Sequence, residues 1–182
     1  MPQVFDSLRY SICGIAPLTL FHSVHAGVLP VGEVKLSNTA LAETLSIPID
    51  TPRAAMLGIH AAREAVKNSG IDLKKWRTGL ISATTVGGMD KTEEFFEEFL
   101  IDPKKGKLRN VLNHSCGKST ELIAHDLGIN RFISTINTAC SSSANAIALG
   151  SRMISAGLLD IVEINLFIPR SCAINSVDFP QL

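Results

Sequence analysis

A cysteine followed by three serines is the feature of this sequence best suited to covalent chemistry. The segment 136–145 reads INTACSSSAN and places Cys140 between a strand-like stretch and a helix-like stretch. At such a junction the unpaired N–H groups and the dipole of the helix stabilise the thiolate form of a cysteine. The small neighbouring residues leave room for a substrate, and the backbone N–H of Cys140 can donate to an oxyanion. The pattern predicts Cys140 as a nucleophile, with a buried structural cysteine as the alternative.

A cysteine nucleophile can be activated by a histidine, and all five histidines of the chain precede Cys140. In a Cys–His transferase or hydrolase, His114 or His125 would act as the base. Cys116 lies between these two histidines in the sequence, but the spacing of the three residues matches no common zinc-ligand pattern, and a closed zinc site needs four ligands. We therefore expect no metal site.

Strand-like and helix-like patterns alternate along the chain. The clearest helix has Thr51 as its N-cap and Pro52 at its first position, and it stops at Gly70. Strands are predicted over 78–85, over 131–137 and from Leu159, and further helices begin at Met89 and cover 119–127 and 141–156. This order predicts an α/β fold with a mostly parallel sheet and helices packed on it.

The helix after Cys140 differs from the others because it has no polar face. Small and apolar residues surround its axis, and no charged residue precedes Arg152. A helix of this kind is buried on all sides, as in the middle layer of a sheet–helix–sheet sandwich. Because 182 residues are too few for two full sheets around a central layer, we expect the chain to be one half of such a sandwich.

Composition and charge exclude several classes of function. The chain has 17 Lys and Arg residues and 17 Asp and Glu residues, so its net charge is zero. It also has no basic cluster that alternates with aromatic residues. These two observations exclude nucleic-acid binding. The uncharged stretch 132–151 contains nine Ser, Thr or Asn residues, which excludes a transmembrane helix. The four cysteines form no C-x-x-C pair, as expected for a cytoplasmic protein.

Several segments together resemble the β-ketoacyl-acyl-carrier-protein synthases. The nucleophile region of that family is similar to the sequence TACSSS at 138–143 and to the segment that follows it as far as 162. Upstream, the likeness includes ICGI at 12–15, GEV at 32–34, the helix at 55–72 and SATTVGGM at 82–89. These segments occur in the order that the family has.

The resemblance implies a thiolase-like fold, in which two similar α/β halves enclose central helices, normally in a dimer. It also implies a decarboxylating condensation in fatty acid or polyketide synthesis. Cys140 would accept an acyl group from a carrier-protein thioester, and the enolate of a decarboxylated malonyl thioester would then attack it. No metal or organic cofactor is implied, since the phosphopantetheine arm belongs to the acyl carrier protein. Lys104, Lys105, Lys107 and Arg109 are basic residues that suit an acidic carrier.

The chain departs from the family after residue 162. The family's paired catalytic histidines and its lysine follow the nucleophile at a distance, whereas no histidine follows Cys140 here. From Glu163 the likeness ends abruptly, as a shifted reading frame or a truncated gene would produce; a natural short variant is the alternative. We therefore divide the chain into 1–162, the N-terminal half of a synthase-like domain, and 163–182, a divergent tail.

Three functions follow from these observations. The first is an acyltransferase of the β-ketoacyl synthase type that carries Cys140 and lacks the groups for condensation. The second is the Cys–His enzyme, and the third is an inactive half-domain that acts as a binding partner or is a gene remnant. We also expect a homo-oligomer, because the apolar helix needs cover from a second copy or from residues 166–168 of the tail.

Overall fold

The computed structural model describes residues 2–20 and 23–166. The tail beyond residue 166 lies outside the described residues, as do His22 and Cys172. The prediction that residues 166–168 cover the apolar helix therefore falls largely outside the described part of the chain. Seven helices and five strands are described: α1 (Pro2–Arg9), β1 (Ile15–Pro17), β2 (Pro30–Gly32), α2 (Asn38–Leu45), α3 (Arg53–Ser69), β3 (Thr78–Ala83), α4 (Met89–Ile101), α5 (Leu108–Leu112), α6 (Cys116–Leu127), β4 (Phe132–Ile136), α7 (Ser142–Ser155) and β5 (Ile161–Leu166). Short 3-10 turns cover Leu73–Lys75 and Ala139–Ser141.

The described residues form two compact units, which divide after Ser37. In the first unit, β1 and β2 pair as an antiparallel hairpin. The Glu33 carboxylate, which is nearly buried, accepts hydrogen bonds from the backbone N–H of Leu20 at 2.8 Å and from the Thr19 hydroxyl at 2.8 Å, and it pairs with Lys35. These bonds tie the segment after β1 to the segment after β2.

The second unit is built on a parallel sheet with strand order β4-β3-β5. All six residues of β3 are buried, since β3 has a neighbouring strand at each edge and helices on both faces. Ala83, the last residue of β3, is in register with Ile136 of β4 and with Leu166 of β5. The carboxyl ends of the three strands therefore lie side by side, and the predicted α/β class with a parallel sheet is confirmed.

Helices α3 and α6 cover one face of this sheet. They pack so closely that a Cβ atom on Gly58 of α3 would lie 2.6 Å from the Ile123 side chain of α6. Apolar residues from α2, α3, β3 and α6 form the larger core of the chain; the fully buried ones include Leu41, Met56, Ile59, Leu80 and Ile123. This layer contributes most of the apolar burial that stabilises the unit.

Helix α7 covers the other face of the sheet. Its residues Ser142, Ala146 and Gly150 are buried, and a Cβ atom on Gly150 would lie 3.1 Å from the Ile164 side chain of β5. The opposite side of α7 is open, because Ile147 is 51% exposed and Ile154 is 45% exposed. The second unit thus provides one sheet against α7, and its described residues form no other sheet.

Most predicted elements are confirmed with small shifts at their ends. The first predicted helix is α3, which covers Arg53–Ser69 and is followed by Gly70 in the left-handed conformation. The predicted N-cap is wrong, because Pro52 and not Thr51 occupies the N-cap position, and no side chain caps the helix there. Helix α6 begins three residues before the predicted start, because the Ser115 side chain caps it by accepting a hydrogen bond from the Gly117 N–H. Within the described part of the chain, no helix combines the length and the hydropathy that crossing a bilayer requires.

The turn between β3 and α4 packs directly against the turn between α5 and α6. Gly87 has a φ of +58°, and a Cβ atom on it would lie 2.5 Å from the carbonyl oxygen of His114 and 2.8 Å from the backbone nitrogen of Cys116. The Gly88 N–H also donates to the His114 carbonyl at 3.1 Å. The two glycines therefore allow two backbones to touch where a side chain would separate them.

Replacing Gly87 by alanine is expected to destabilise the fold through both strain and collision. The matched control is Gly70→Ala, because Gly70 also has a positive φ, +66°, but has open space around its Cβ position. Urea denaturation of the two variants should give a loss of about 1 kcal/mol for Gly70→Ala from backbone strain. Gly87→Ala should lose about 1–3 kcal/mol more from overpacking, and equal losses in the two variants would contradict the close approach.

Candidate active site

Cys140 lies in the sharp connection from β4 to α7. Ile136 ends β4, the 3-10 turn covers Ala139–Ser141, and α7 begins at Ser142. Ala139 has a φ of +51°, which a residue with a Cβ atom rarely adopts and which costs about 1–3 kcal/mol. This conformation turns the chain from strand to helix within a few residues, and the Cys140 side chain is exposed on that turn.

Ser142 stabilises the turn from inside. Its hydroxyl accepts a hydrogen bond from the Thr138 N–H at 2.8 Å and donates to the Ala139 carbonyl at 2.8 Å. Ser142 is buried, so both bonds are partly shielded from water. One side chain therefore holds the residues on both sides of the strained backbone at Ala139.

Thr138, Ser141 and Asn145 hold the turn from outside. The Ser141 hydroxyl donates to the Thr138 carbonyl at 2.8 Å, and the Asn145 amide donates to the Thr138 Oγ1 at 2.8 Å and to the Ser141 Oγ at 3.3 Å. Asn145 belongs to the first turn of α7, so these bonds connect the helix to the segment before Cys140. The residues that flank Cys140 are thus held on both sides by side-chain hydrogen bonds.

A cavity of about 330 Å³ opens at Cys140. It is lined by the end of β3 and the two residues after it, by the Cys140 turn and by the start of α7, namely Ala83, Thr84, Thr85, Ala139, Cys140, Ser142 and Ser143. The parallel register brings these segments together, since β3 and β4 end at the same edge of the sheet. The lining offers methyl groups and small hydroxyls beside the sulfur, with room for a small acyl group.

No histidine lines this cavity among the residues that the structure describes. The His114 Nδ1 atom lies 2.8 Å from the Thr92 hydroxyl of α4. His125 is in the last turn of α6, while the first residue of that helix, Cys116, contacts the side chain of Asn137 beside the Cys140 turn. Nine residues of helix at a rise of about 1.5 Å separate His125 from that end. Neither predicted base therefore lines the Cys140 cavity.

Cys116 differs from Cys140 in its surroundings. Burial raises the pKa of the Cys116 thiol above its ordinary value, and the thiol is partly enclosed. Its Sγ is 3.7 Å from the Asn137 amide nitrogen. In the described ranges of the chain, no group of three or more His, Cys, Asp or Glu residues is arranged to hold a metal ion.

A protein-family model matches the part of the chain that carries the Cys140 turn. The model of the beta-ketoacyl synthase N-terminal domain matches residues 48–162. This range includes β3, β4, the first two residues of β5, the Cys140 turn and the residues that line its cavity. The chain belongs to the β-ketoacyl synthase family. No curated protein matches the sequence.

Solved structures agree with the family at the level of the fold. The ishigamide ketosynthase/chain length factor superposes with a TM-score of 0.76 at 23% identity, over 89% of this chain and 42% of that one. A β-ketoacyl synthase from Burkholderia phymatum STM815 superposes with a TM-score of 0.59 at 13% identity, over 86% of this chain and 40% of that one. This chain therefore spans about two fifths of the length of each of these structures, and the predicted thiolase-like fold is confirmed.

Sequence reasoning missed the residues that hold and face the cysteine. Thr138 and Asn145 were not identified from the sequence as hydrogen-bond partners, because they are seven residues apart and meet only through the sharp turn between β4 and α7. Thr84 and Thr85 were assigned to a strand, but β3 ends at Ala83 and both line the cavity. Their role depends on the parallel pairing of β3 with β4, which single-strand patterns do not encode.

Removing the Ser142 hydroxyl should loosen the Cys140 turn. We expect Ser142→Ala to lose about 1–3 kcal/mol of folding free energy, because it leaves the Thr138 N–H and the Ala139 carbonyl without a partner. Ser143→Ala is the matched control, since Ser143 lines the same cavity and should change stability by less than about 0.5 kcal/mol. Chemical denaturation measures both, and an equal effect would show that the two hydrogen bonds do not stabilise the turn.

Cys140 should react with an alkylating agent before the other three cysteines. It is exposed at the start of a helix, whereas the raised pKa of Cys116 reduces its thiolate fraction. Cys13 is also exposed and serves as the internal reference for an ordinary surface thiol. Limiting iodoacetamide followed by peptide mass mapping gives the order. Labelling of Cys13, Cys116 or Cys172 with Cys140 spared would contradict the assignment.

Proposed function

We propose that this chain is the nucleophile-bearing part of a condensing β-ketoacyl synthase and that Cys140 accepts the acyl group. The observation that carries the proposal is an exposed cysteine on a braced strand-to-helix turn, beside a cavity lined by methyl groups and small hydroxyls. Membership in the synthase family supports the same chemistry. The donor would be an acyl thioester of a carrier protein, in fatty acid or polyketide synthesis in the cytoplasm.

In the first step, the Cys140 thiolate attacks the carbonyl carbon of the acyl thioester. The carbonyl electrons move to oxygen, and we propose that the Cys140 backbone N–H donates to this oxyanion. When the carbonyl re-forms, the thiolate of the carrier arm leaves and the acyl group is bound to Cys140. The hydrogen-bonded turn contributes by holding sulfur and N–H in a fixed relation before substrate arrives.

In the second step, a malonyl thioester loses carbon dioxide and its enolate carbon attacks the acylated Cys140. The product is a 3-oxoacyl thioester extended by two carbons, and the Cys140 thiolate is released. By its resemblance to the synthases, this step requires paired histidines that follow the nucleophile, and no histidine follows Cys140 in this sequence. We therefore infer that the chain by itself supports the first step only.

A basic surface for the carrier is a weaker part of the proposal. Of the four candidate residues, Arg109 pairs with Asp50 at 2.8 Å and Lys107 lies 3.8 Å from Glu98. Both pairs are exposed and therefore contribute little to stability. Lys104 and Lys105 remain as the residues we propose to meet an acidic carrier.

A binding role without catalysis is the second candidate function. It is favoured by the exposure of Cys140 and by the lack of a histidine in the cavity lining that the structure describes. One of the similar structures is described as a ketosynthase/chain length factor, and an analogous pairing would give this chain a synthase partner. We propose that this partner is a second copy of the same chain or a full-length synthase.

Incubation with a short acyl pantetheine thioester separates the two functions. Under the enzyme proposal, intact-protein mass spectrometry should show one added acyl group, which maps to Cys140 and is absent in Cys140→Ala. Addition of a malonyl thioester should give no condensation product, since each missing electrostatic donor costs about 10² to 10³ in rate. Cys116→Ala is the matched control and should acylate normally.

Failure of the wild-type chain to acylate would contradict the enzyme proposal and support the binding role. Rapid formation of a 3-oxoacyl product by the purified chain alone would contradict the inference that condensation requires residues that this chain lacks. Acylation that persists in Cys140→Ala would place the nucleophile elsewhere.

A further inference from the structure

A second cavity lies at the edge of the sheet opposite to Cys140. It has a volume of about 420 Å³ and is lined by Leu73–Thr78, Gly128–Arg131 and Asp160. These segments lie at the amino ends of β3, β4 and β5, because Thr78, Phe132 and Ile161 begin the three parallel strands. The Cys140 cavity is formed at the carboxyl ends of the same strands, so the two sites are separated by the length of the sheet.

An ion pair between Arg77 and Asp160 forms part of this cavity. The Arg77 guanidinium donates to both Asp160 oxygens, at 3.0 and 2.6 Å, and to the Gly157 carbonyl at 2.7 Å. The Arg77 backbone N–H donates to Asp160 as well, at 2.9 Å. The hydrogen bonds from Arg77 lower the pKa of Asp160 from 3.8 to about 2. Asp160 is therefore ionised at neutral pH, and its charge is matched by that of Arg77.

Three further cations line the cavity beyond this pair. Arg131 is close enough to contribute to the lowered pKa of Asp160, whose oxygens already accept hydrogen bonds from Arg77. Lys74 and Lys75 also line the cavity, and Lys75 lies 3.7 Å from the exposed carboxylate of Asp72. Four cations thus face two carboxylates in a chain whose net charge is zero. The local excess of positive charge favours an anionic ligand.

Trp76 gives the same cavity an aromatic wall. It is the only tryptophan of the chain, and it is 55% exposed although tryptophan is highly buried on average. An exposed indole next to cations offers a flat surface for a planar ring, while the cations bind phosphate oxygens. The volume is within the usual range for small-molecule sites.

We propose that this cavity binds a nucleotide-like ligand, with its phosphates on Lys74, Lys75 and Arg131 and its planar base against Trp76. The site is independent of the acyl transfer proposed at Cys140, because it shares no lining residue with the Cys140 cavity. Arg77 does not bind the ligand directly in this arrangement, since it is occupied by Asp160 and positions the walls on either side.

Trp76 makes the proposal directly measurable, because the fluorescence of a single tryptophan reports on a ring that stacks against it. Titration of the full chain with ADP at low ionic strength should quench Trp76 saturably, after correction for absorbance. Adenosine lacks the phosphates and should bind at least tenfold more weakly. Inorganic pyrophosphate should compete with ADP but should bind more weakly than ADP, because it lacks the base.

Charge-removing variants test the phosphate contacts. Arg131→Ala and Lys74→Ala should each raise the Kd for ADP about fivefold or more. Lys104→Ala removes a lysine that does not line the cavity and should leave the Kd unchanged. Cys140→Ala should also leave it unchanged, so a failure of acyl transfer and a failure of ADP binding are separate results.

Three results would overturn the proposal. One is an absence of saturable quenching by ADP. Another is an unchanged Kd in both Arg131→Ala and Lys74→Ala. The third is equal affinity for pyrophosphate and ADP, which would show that Trp76 does not take part. Circular dichroism of each variant establishes that it is folded before its Kd is compared.

Discussion

The burial of β3 between two parallel neighbours is the constraint on which the rest of the second unit depends. All six of its residues are buried, so helices must cover both faces of the strand, and α3 with α6 on one side and α7 on the other do so. Parallel pairing also fixes where chemistry can occur, because it aligns the carboxyl ends of β3 and β4. The Cys140 turn and the Thr84–Thr85 segment therefore line the same cavity. The amino ends of the strands meet in the same way and bring Arg77, Arg131 and Asp160 together.

Backbone strain at the active-site turn is sustained by hydrogen bonds from small polar side chains. Ala139 has an unfavourable positive φ, and the bonds of Ser142, together with those that link Asn145 to Thr138, surround it. Each such bond contributes about 0.5–1.5 kcal/mol, so several of them together offset a strain of about 1–3 kcal/mol. The serines after Cys140 therefore have two roles: their small size leaves the sulfur accessible, and the hydroxyls of Ser141 and Ser142 hold its backbone. Larger apolar residues at these positions would fill the cavity and leave the strained backbone without support.

Sequence patterns predicted the elements whose signals are local, and missed those that depend on contacts between distant segments. Helix α3 was predicted almost to the residue because Pro52 and Gly70 mark its ends. Helix α5 was missed because five residues hold too few apolar positions to show a helical period, and the start of α6 was misplaced because Gly117 interrupts its first turn. Cys140 was identified by its residue type and its place before a helix. The cavity around it and the cation-lined cavity at the other end of the sheet are assembled from three or more segments, whose juxtaposition follows from strand order and register.

The two sides of α7 show how a family fold constrains a sequence beyond the contacts it makes here. The side toward the sheet needs small residues, because Gly150 lies against Val162 and Ile164 with almost no space to spare. The other side would tolerate charged residues if water were its permanent neighbour, yet Ala144, Ile147 and Ala148 are exposed there and no charge precedes Arg152. Leaving about 500 Å² of such apolar surface in water costs on the order of 12 kcal/mol of stabilising free energy, which is comparable to the whole stability of a domain. A helix that is apolar on both sides is therefore suited to a position between two apolar layers, as in a sheet–helix–sheet sandwich. The apolar residues on the open side of α7 indicate that a second layer packs against that side in the complete family fold.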